Sequence, residues 1–249
     1  MKDVKSTLLE RRSIRRYERE AITDEQMDFI CEAIRNTPTS YNGQQYSVID
    51  ISDQSMKLKL EELTGQKQIK TCSHFMLFCV DYHKIDILGE RKALKNPQFT
   101  HTMDGIVVGV VDASLAMMSA IVAADSIGLG SCPIGFIRTK DPEAVCSILG
   151  LPQGVFPVCG LAIGVPREMP DMHPKQPLNA LIMKGRYAND TELLSELEAY
   201  DARVAQYNAT RSGSTSDNDW ADHILSYYRE GMSYHTLVAM ARQGFVPER

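Results

Sequence analysis

The chain has 249 residues, a net charge of −5, an apolar fraction of 43% and a charged fraction of 24%. This is the composition of an ordinary soluble protein of one or two domains. The acidic balance argues against a general nucleic-acid binder, and we expect neither a signal peptide nor a transmembrane segment. The six cysteines are scattered, which predicts buried free thiols in a reducing cytoplasm and no structural zinc site.

Hydrophobic periodicity predicts helices and strands along the first half of the chain. Thr23 and Gln26 form a capping-box signature for the second helix, which Pro38 ends. The predicted elements are a helix over 2–11, a helix starting at Thr23, a strand over 46–51, a helix over 56–63, a strand over 74–82, an exposed helix or insertion over 84–101 and a long apolar helix over 107–129.

The second half begins with a glycine-containing turn over 128–135 and ends in helices. The elements predicted there are a helix opened by Asp141 and Pro142, an apolar strand over 156–165, a proline-rich loop over 166–177, and helices over 191–210, 220–228 and 234–242. We expect residues 1–188 to form a core. Residues 189–249 are expected to form a helical arm that packs on the core or on a partner subunit, without being an independent domain.

A basic stretch near the amino terminus reads Arg11-Arg12-Ser13-Ile14-Arg15-Arg16-Tyr17. If it runs extended, alternate side chains point the same way, so Arg11, Ser13 and Arg15 address one ligand together. Arginine suits phosphate or a carbonyl edge because its planar fork gives bidentate hydrogen bonds. The alternative is a solvated basic patch at the end of a helix.

Two later motifs extend this pattern. Ser40-x-Asn42-x-Gln44 lies in a polar loop before a strand, and Gly-Leu-Gly-x-x-Pro-Ile-Gly spans 128–135. In their order and spacing, the Arg-x-Ser-x-Arg segment and these two motifs resemble the flavin-dependent nitroreductase family. The helical tail resembles that of the longer NADPH nitroreductase and flavin reductase subgroup.

The resemblance implies an α+β, three-layer fold, with a central mixed, mainly antiparallel sheet flanked by helices and a helical carboxy-terminal extension. It implies a cytoplasmic homodimer with FMN sites at the subunit interface, which takes electrons from NADPH or NADH. The implied activity is two-electron, ping-pong reduction of nitroaromatics, quinones or flavins. The alternatives are a dedicated flavin reductase that supplies reduced FMN, a non-catalytic flavin carrier or sensor, and, more weakly, docking of an acidic protein.

The resemblance also assigns the cofactor-binding residues. Arg11 and Ser13 are expected to hold the phosphate and ribityl chain, and Arg15 to lie near N1 and the C2 carbonyl of the flavin. A fixed cation there stabilises the negative charge of reduced flavin. No catalytic side chain and no metal ligand is expected. The other residues assigned to the cofactor are Arg12, Gln66, Pro133, Ile134, Gly135, His173 and Lys175 and, approaching from the partner subunit, Thr39, Ser40, Tyr41, Asn42 and Gln44.

The choice between NADPH and NADH stays open. Arg211 matches one of the arginines that bind the 2′-phosphate of NADPH in the subgroup, but residues 212–217 contain no further arginine or lysine. Arg203 is a possible substitute and otherwise a solvated partner of Glu196 or Asp201. The substrate side of the flavin is expected to involve Tyr41 and the 84–101 segment.

Overall fold

A computed structural model describes residues 2–247, which divide into two compact units. The first contains the described residues up to Met169 together with those from His235 onward, and the second is Pro170–Tyr234. The helices are α1 (Val4–Glu10), α2 (Asp24–Arg35), α3 (Gln54–Thr64), α4 (Gln68–Thr71), α5 (His83–Arg91), α6 (Met103–Ser126), α7 (Pro142–Leu149), α8 (Leu178–Leu181), α9 (Asp190–Thr210), α10 (Trp220–Gly231) and α11 (Thr236–Arg242). The strands are β1 (Tyr46–Ile51), β2 (His74–Asp81), β3 (Gly130–Ile134) and β4 (Val155–Gly164).

The first unit is built on a four-stranded antiparallel sheet with the order β1-β2-β4-β3. The central strands β2 and β4 are buried on both faces, apart from a partly exposed His74, because their sequences are almost continuously apolar. Within the described residues, parallel pairing is limited to an isolated bridge between Ser13 and Ser131. The predicted, mainly antiparallel sheet is therefore confirmed.

Helices cover both faces of this sheet. On one face, α2 and α6 pack on side chains such as Phe78 and Leu161. On the other face, α3, α4 and α7 pack around Phe75, Leu77 and Ala162. The result is the three-layer α+β fold that the sequence predicts.

The long helix α6 has two different apolar faces. Small residues, including Ala113 and Ala116, are completely buried. The backbone of α6 lies so close to β2 that a Cβ on Gly109 would overlap Val80. The opposite face carries an apolar stripe of larger residues, each between 37% and 49% exposed: Val107, Val111, Leu115 and Met118.

Among the described residues, α6 is also the one helix long and apolar enough to cross a membrane. Length and composition do not separate such a helix from the core helix of a soluble protein. Here one face of α6 packs on the sheet, and its Asp112 is completely buried and hydrogen-bonded. We therefore interpret α6 as a core helix.

Two sequence predictions are wrong in detail. Residues 130–134 form the strand β3, although glycine and proline made this stretch resemble a turn. Proline is tolerated because β3 is an edge strand, where a missing N–H costs little. In addition, Cys31 is exposed, whereas the other five cysteines are buried as predicted.

The second unit consists of α8, α9 and α10. Asp201 on α9 accepts hydrogen bonds from the backbone N–H groups of Trp220 and Ala221, each at 2.9 Å, at the start of α10. Arg203, for which the sequence left open either nucleotide binding or a solvated pairing with Glu196 or Asp201, donates from Nη2 to the carbonyl of Lys175 at 3.4 Å. The Asp201 carboxylate caps backbone N–H groups at the start of α10.

The buried Asp112 connects α6 to the loop that precedes β1. Its Oδ1 accepts from the backbone N–H of Ser40 at 3.0 Å, and its Oδ2 accepts from that of Gln45 at 3.3 Å. A carboxylate that accepts two N–H bonds compensates for its loss of hydration. The loop over 39–45 is therefore held at both ends by one side chain.

We expect Asp112→Ala to lower the free energy of unfolding by about 2–3 kcal/mol, because two partly buried N–H groups lose their acceptor. Asp112→Asn retains one acceptor oxygen and should lose less. Urea unfolding of both variants measures the difference. An alanine variant as stable as the wild type would show that the carboxylate does not hold this loop.

Candidate functional site

The basic stretch over 11–17 runs extended along the edge of β3. Ser13 forms a parallel bridge with Ser131, whose carbonyl accepts from the N–H of Ile14 at 2.9 Å. Tyr17 forms an antiparallel bridge with Pro166 just after β4. The extended conformation predicted from the sequence is thus present, and we call residues 11–17 the arginine segment.

Two glycines allow the arginine segment to approach the sheet. A Cβ on Gly130 would lie 2.8 Å from the Cβ of Ile14, and one on Gly164 would lie 2.7 Å from Cδ1 of Tyr17. Both distances are shorter than any real carbon contact, so larger residues would push the segment away. The Tyr17 hydroxyl donates to the carbonyl of Ile14 at 2.6 Å, and burial raises its pKa, which keeps it a neutral donor.

Glu168 fixes the backbone in the middle of the arginine segment. Its Oε1 accepts from the N–H of Arg15 at 2.7 Å and from the N–H of Arg16 at 3.1 Å. Two consecutive backbone N–H groups point to the same oxygen. The side chains therefore no longer alternate strictly between two sides at this point, and the side chain of Tyr17 is buried in the core. Glu168 was not singled out from the sequence, where nothing marks an acid in a polar loop as special.

The four arginines of the segment differ in their partners. Arg16 Nε lies 3.7 Å from Oε2 of Glu168, and Arg12 Nε donates to the carbonyl of Glu10 at 3.2 Å. The guanidinium groups of Arg11 and Arg15 form no ion pair with the described residues. Two cations without a protein anion therefore lie on the alternate positions predicted to address a ligand.

Residues from β3 and from the start of α4 lie beside Arg15. Burial raises the pKa of the Cys132 thiol, while the charge of Arg15 and a hydrogen bond from Gln68 act in the opposite direction, which places all three groups together. Gln68 also donates to Oε1 of Gln66 at 2.9 Å. Gln66 therefore lies near the arginine segment, and its contact with the flavin stays a prediction.

The Pro-Ile-Gly motif presents mostly backbone. Pro133 is exposed on β3, whereas the side chain of Ile134 is buried in the core. Gly135 is half-buried, and a Cβ there would lie 3.1 Å from Nη1 of Arg138. Only Pro133 and the backbone of the other two residues are thus available to a ligand.

The loop over 39–44 lies at the other edge of the sheet, because it leads into β1. Its Thr39 Oγ1 accepts from the N–H of Gln44 at 3.2 Å, and Tyr41 is 83% exposed. Three strand spacings, roughly 14 Å, separate β1 from β3. Within one chain the structure does not bring these residues to the arginine segment.

Three predicted residues belong to the second unit. The ring of His173 lies 5.1 Å from that of Tyr207, and Lys175 is exposed. Arg211 ends α9, and its Nε donates to the carbonyl of Ser214 at 2.7 Å. Their roles in binding phosphate or nucleotide stay predictions.

Comparison with known proteins identifies the family of this chain. Residues 8–165 match the model of the Nitroreductase family, and residues 173–247 match that of the Nitroreductase family, C-terminal domain. The chain belongs to the nitroreductase family. This nitroreductase-family chain is 36% identical, over the full length of both proteins, to "FMN reductase [NAD(P)H]" of Bacillus subtilis.

Two further relatives are similar over most of the chain. "Oxygen-insensitive NADPH nitroreductase" of Salmonella typhimurium is 35% identical over 86% of this chain and 85% of its own. The solved structure of the hypothetical oxidoreductase YcnD from Bacillus subtilis superposes with a TM-score of 0.95, at 36% identity and complete coverage of both chains. The nitroreductase-like fold is therefore shown over the whole chain.

We expect Glu168→Ala to weaken FMN binding roughly tenfold, because the backbone that positions Arg15 loses a charge-assisted acceptor for two N–H groups. Glu168→Gln retains one acceptor oxygen and should lie between alanine and wild type. Quenching of FMN fluorescence during titration measures the affinity.

Glu18→Ala is the matched control, since it removes an exposed carboxylate from the neighbouring backbone. Wild-type affinity in the Glu168→Ala protein would mean that the carboxylate does not position Arg15.

Proposed function

We propose that this protein is an FMN-dependent NAD(P)H oxidoreductase that reduces nitroaromatics, quinones or flavins by two-electron, ping-pong hydride transfer. The observation that carries the proposal is the arginine segment, fixed on β3 with two guanidinium groups that have no acidic partner among the described residues. Family membership and the names of the two relatives, an FMN reductase and a nitroreductase, support it.

The residues of the first unit fit FMN. Arg11 and Ser13 would hold the phosphate and ribityl chain, and Arg15, fixed by Glu168, would face the pyrimidine edge of the ring. Gln66, oriented by Gln68, would hydrogen-bond to the same edge. FMN supplies the hydride chemistry when bound, whereas the chain supplies position and positive charge where negative charge develops.

A dedicated flavin reductase is the second candidate. It uses the same site, and the full-length relative at 36% identity carries the name of an FMN reductase. The two functions differ in the acceptor. A flavin carrier without turnover would share the binding residues, but bound flavin would not be reduced by either nucleotide.

We propose that the protein is a homodimer with FMN sites at the subunit interface. The apolar stripe on α6 and the groove of about 520 Å³ beside it, lined by Val4, Phe29 and Leu115 among others, suit a second copy of the chain. Asp112, next to Val111 in this stripe, holds the loop over 39–44. In the proposed dimer that loop approaches the partner's arginine segment, as the family resemblance implies.

Two further parts of the proposal concern the tail and the compartment. We propose that the helical arm over 189–249 packs on the core or on a partner subunit. A cytoplasmic location is supported by six free cysteines, which suit a reducing compartment. Arg211 matches one arginine that binds the 2′-phosphate of NADPH in the subgroup, but residues 212–217 add no second cation, so NADPH and NADH are both proposed as donors.

An anaerobic absorbance titration of the FMN-loaded protein tests the enzyme proposal. We expect NADPH or NADH to bleach the visible flavin absorbance, and the titration ranks the two donors. A nitroaromatic or quinone should then restore the absorbance. A yellow protein that neither nucleotide bleaches would leave a carrier, and failure to take up FMN would refute the site itself.

The dimer is tested by Leu115→Glu, which places a carboxylate in the proposed apolar interface. We expect a monomer in sedimentation analysis and at least a tenfold loss of FMN affinity, because each site would lack the partner's loop. Leu58→Glu, at a similarly exposed leucine of α3, is the control and should stay dimeric. A dimeric Leu115→Glu protein would place the interface elsewhere.

A further inference from the structure

The short turn between α3 and α4 carries Gln66 and holds its backbone on both sides. Gly65 ends α3 with a φ of 69°, and Oγ1 of Thr64 accepts from the N–H of Gln66 at 3.3 Å. The carbonyl of Gln66 accepts from the N–H of Ile69 at 3.0 Å, and Ile69 is completely buried. The remaining freedom of Gln66 is therefore that of its side chain.

One hydrogen bond fixes the direction of this side chain. Nε2 of Gln68 donates to Oε1 of Gln66 at 2.9 Å, and both side chains are partly buried. The two N–H groups of the Gln66 amide have no acceptor among the described residues. A carboxamide carries its acceptor on one side and its donors on the other. Binding of the Gln66 oxygen by Gln68 therefore turns the Gln66 donors away from Gln68.

The thiol of Cys132 distinguishes the two ends of the Gln68 amide. If oxygen and nitrogen were exchanged in both amides, a hydrogen bond would still join them, so the pair alone does not define its orientation. The Gln68 side chain also reaches the Cys132 sulfur, whose proton is directed at the carbonyl of Pro133, 3.6 Å away. A sulfur that donates its proton elsewhere can only accept, so it requires the N–H side of Gln68. The other N–H of Gln68 is then the one that binds Oε1 of Gln66.

The two side chains predicted to meet the pyrimidine edge of FMN therefore offer donors and no acceptor. The guanidinium of Arg15 has no acidic partner among the described residues, and Gln66 presents its N–H groups. The carbonyl oxygens and N1 of a flavin accept from such groups, whereas its N3–H requires an acceptor. Two-electron reduction places negative charge at N1 and the C2 carbonyl, where fixed donors stabilise it.

We propose that Gln68 is a positioning residue, which holds the Gln66 amide with its N–H groups toward the carbonyl edge of FMN and so stabilises the reduced cofactor. This inference rests on the proposed function and deepens it, because part of the stabilisation is assigned to a residue that acts through another. It also specifies that the cofactor meets the amide nitrogen of Gln66 and not the amide oxygen.

Gln68→Glu reverses the proposed orientation. A carboxylate at position 68 only accepts, so it would bind the N–H groups of Gln66 and turn Oε1 toward the flavin. The negative charge of reduced FMN would then meet an acceptor in place of a donor. We expect a lower midpoint potential of the bound FMN, measured by reduction with dithionite in the presence of reference dyes.

The added charge of Gln68→Glu is controlled by a double-mutant cycle with Gln66→Met. In the Gln66→Met background there is no amide to turn, so the same substitution reports the effect of the charge alone. We expect the ratio of oxidised to reduced FMN to rise roughly tenfold more when Gln66 is present, which is about 30 mV for a two-electron couple. Gln68→Met, uncharged and similar in size, should shift the ratio in the same direction by a smaller factor, and should have no effect in the Gln66→Met background.

NMR of isotope-labelled FMN bound to the oxidised protein gives a readout that needs no reduction. In Gln68→Met we expect a carbonyl carbon resonance, at C2 or C4, to move toward its position without a hydrogen bond, while the N3 nitrogen resonance keeps its wild-type position. A change confined to N3 would show that Gln66 accepts from N3–H, and would overturn the inference.

The inference and the proposed function fail separately, because none of these measurements uses a nucleotide. If neither NADPH nor NADH bleaches the FMN-loaded wild type, the proposed function fails, while the potentials still test Gln68. Equal shifts of the potential with and without Gln66 would overturn the positioning role alone. If Gln68→Glu does not take up FMN, the comparison of Gln68→Met in the two backgrounds decides in the same way.

Discussion

The docking of the arginine segment onto the edge of β3 is the constraint on which the candidate site depends. Backbone hydrogen bonds to Ser131 set its register, and Gly130 and Gly164 leave room for Ile14 and Tyr17. The buried side chains of Ile14 and Tyr17 hold the segment on the sheet. The arginine side chains between them therefore do not have to be buried to be positioned. Charges that are costly to bury are thus held in place by apolar neighbours in the same seven residues.

A second constraint acts at the other edge of the sheet through α6. This helix packs on β2 with small residues, presents larger apolar residues on its far face, and between the two places Asp112 under a loop. The strained residues Tyr41 and Gln44 lie in that loop. Their unfavourable conformations persist because the surrounding hydrogen bonds determine the backbone.

The sequence predicted what local patterns encode. The capping box at Thr23, the apolar strands β2 and β4 and the extended arginine segment were correct because each depends on residues close together in the chain. The strand β3 was missed, because Gly130 and Pro133 are poor strand formers that only an edge position tolerates.

The contacts that complete the site could not be predicted in this way. Glu168 is 153 residues from Arg15, and Asp112 is 72 residues from Ser40. Neither acid is distinguished by its neighbours in the chain.

The pairing of Ser13 with Ser131 also has a consequence for how the chain folds. The arginine segment is synthesised before β3, but its docking surface is complete only after β4 and Glu168 have been made. At a synthesis rate of about 5–20 residues per second, the segment stays undocked for on the order of ten seconds. Closing so long a loop is slow, so the candidate site forms among the last parts of the core. Nascent chains are therefore expected to acquire their sheet before they acquire affinity for the flavin.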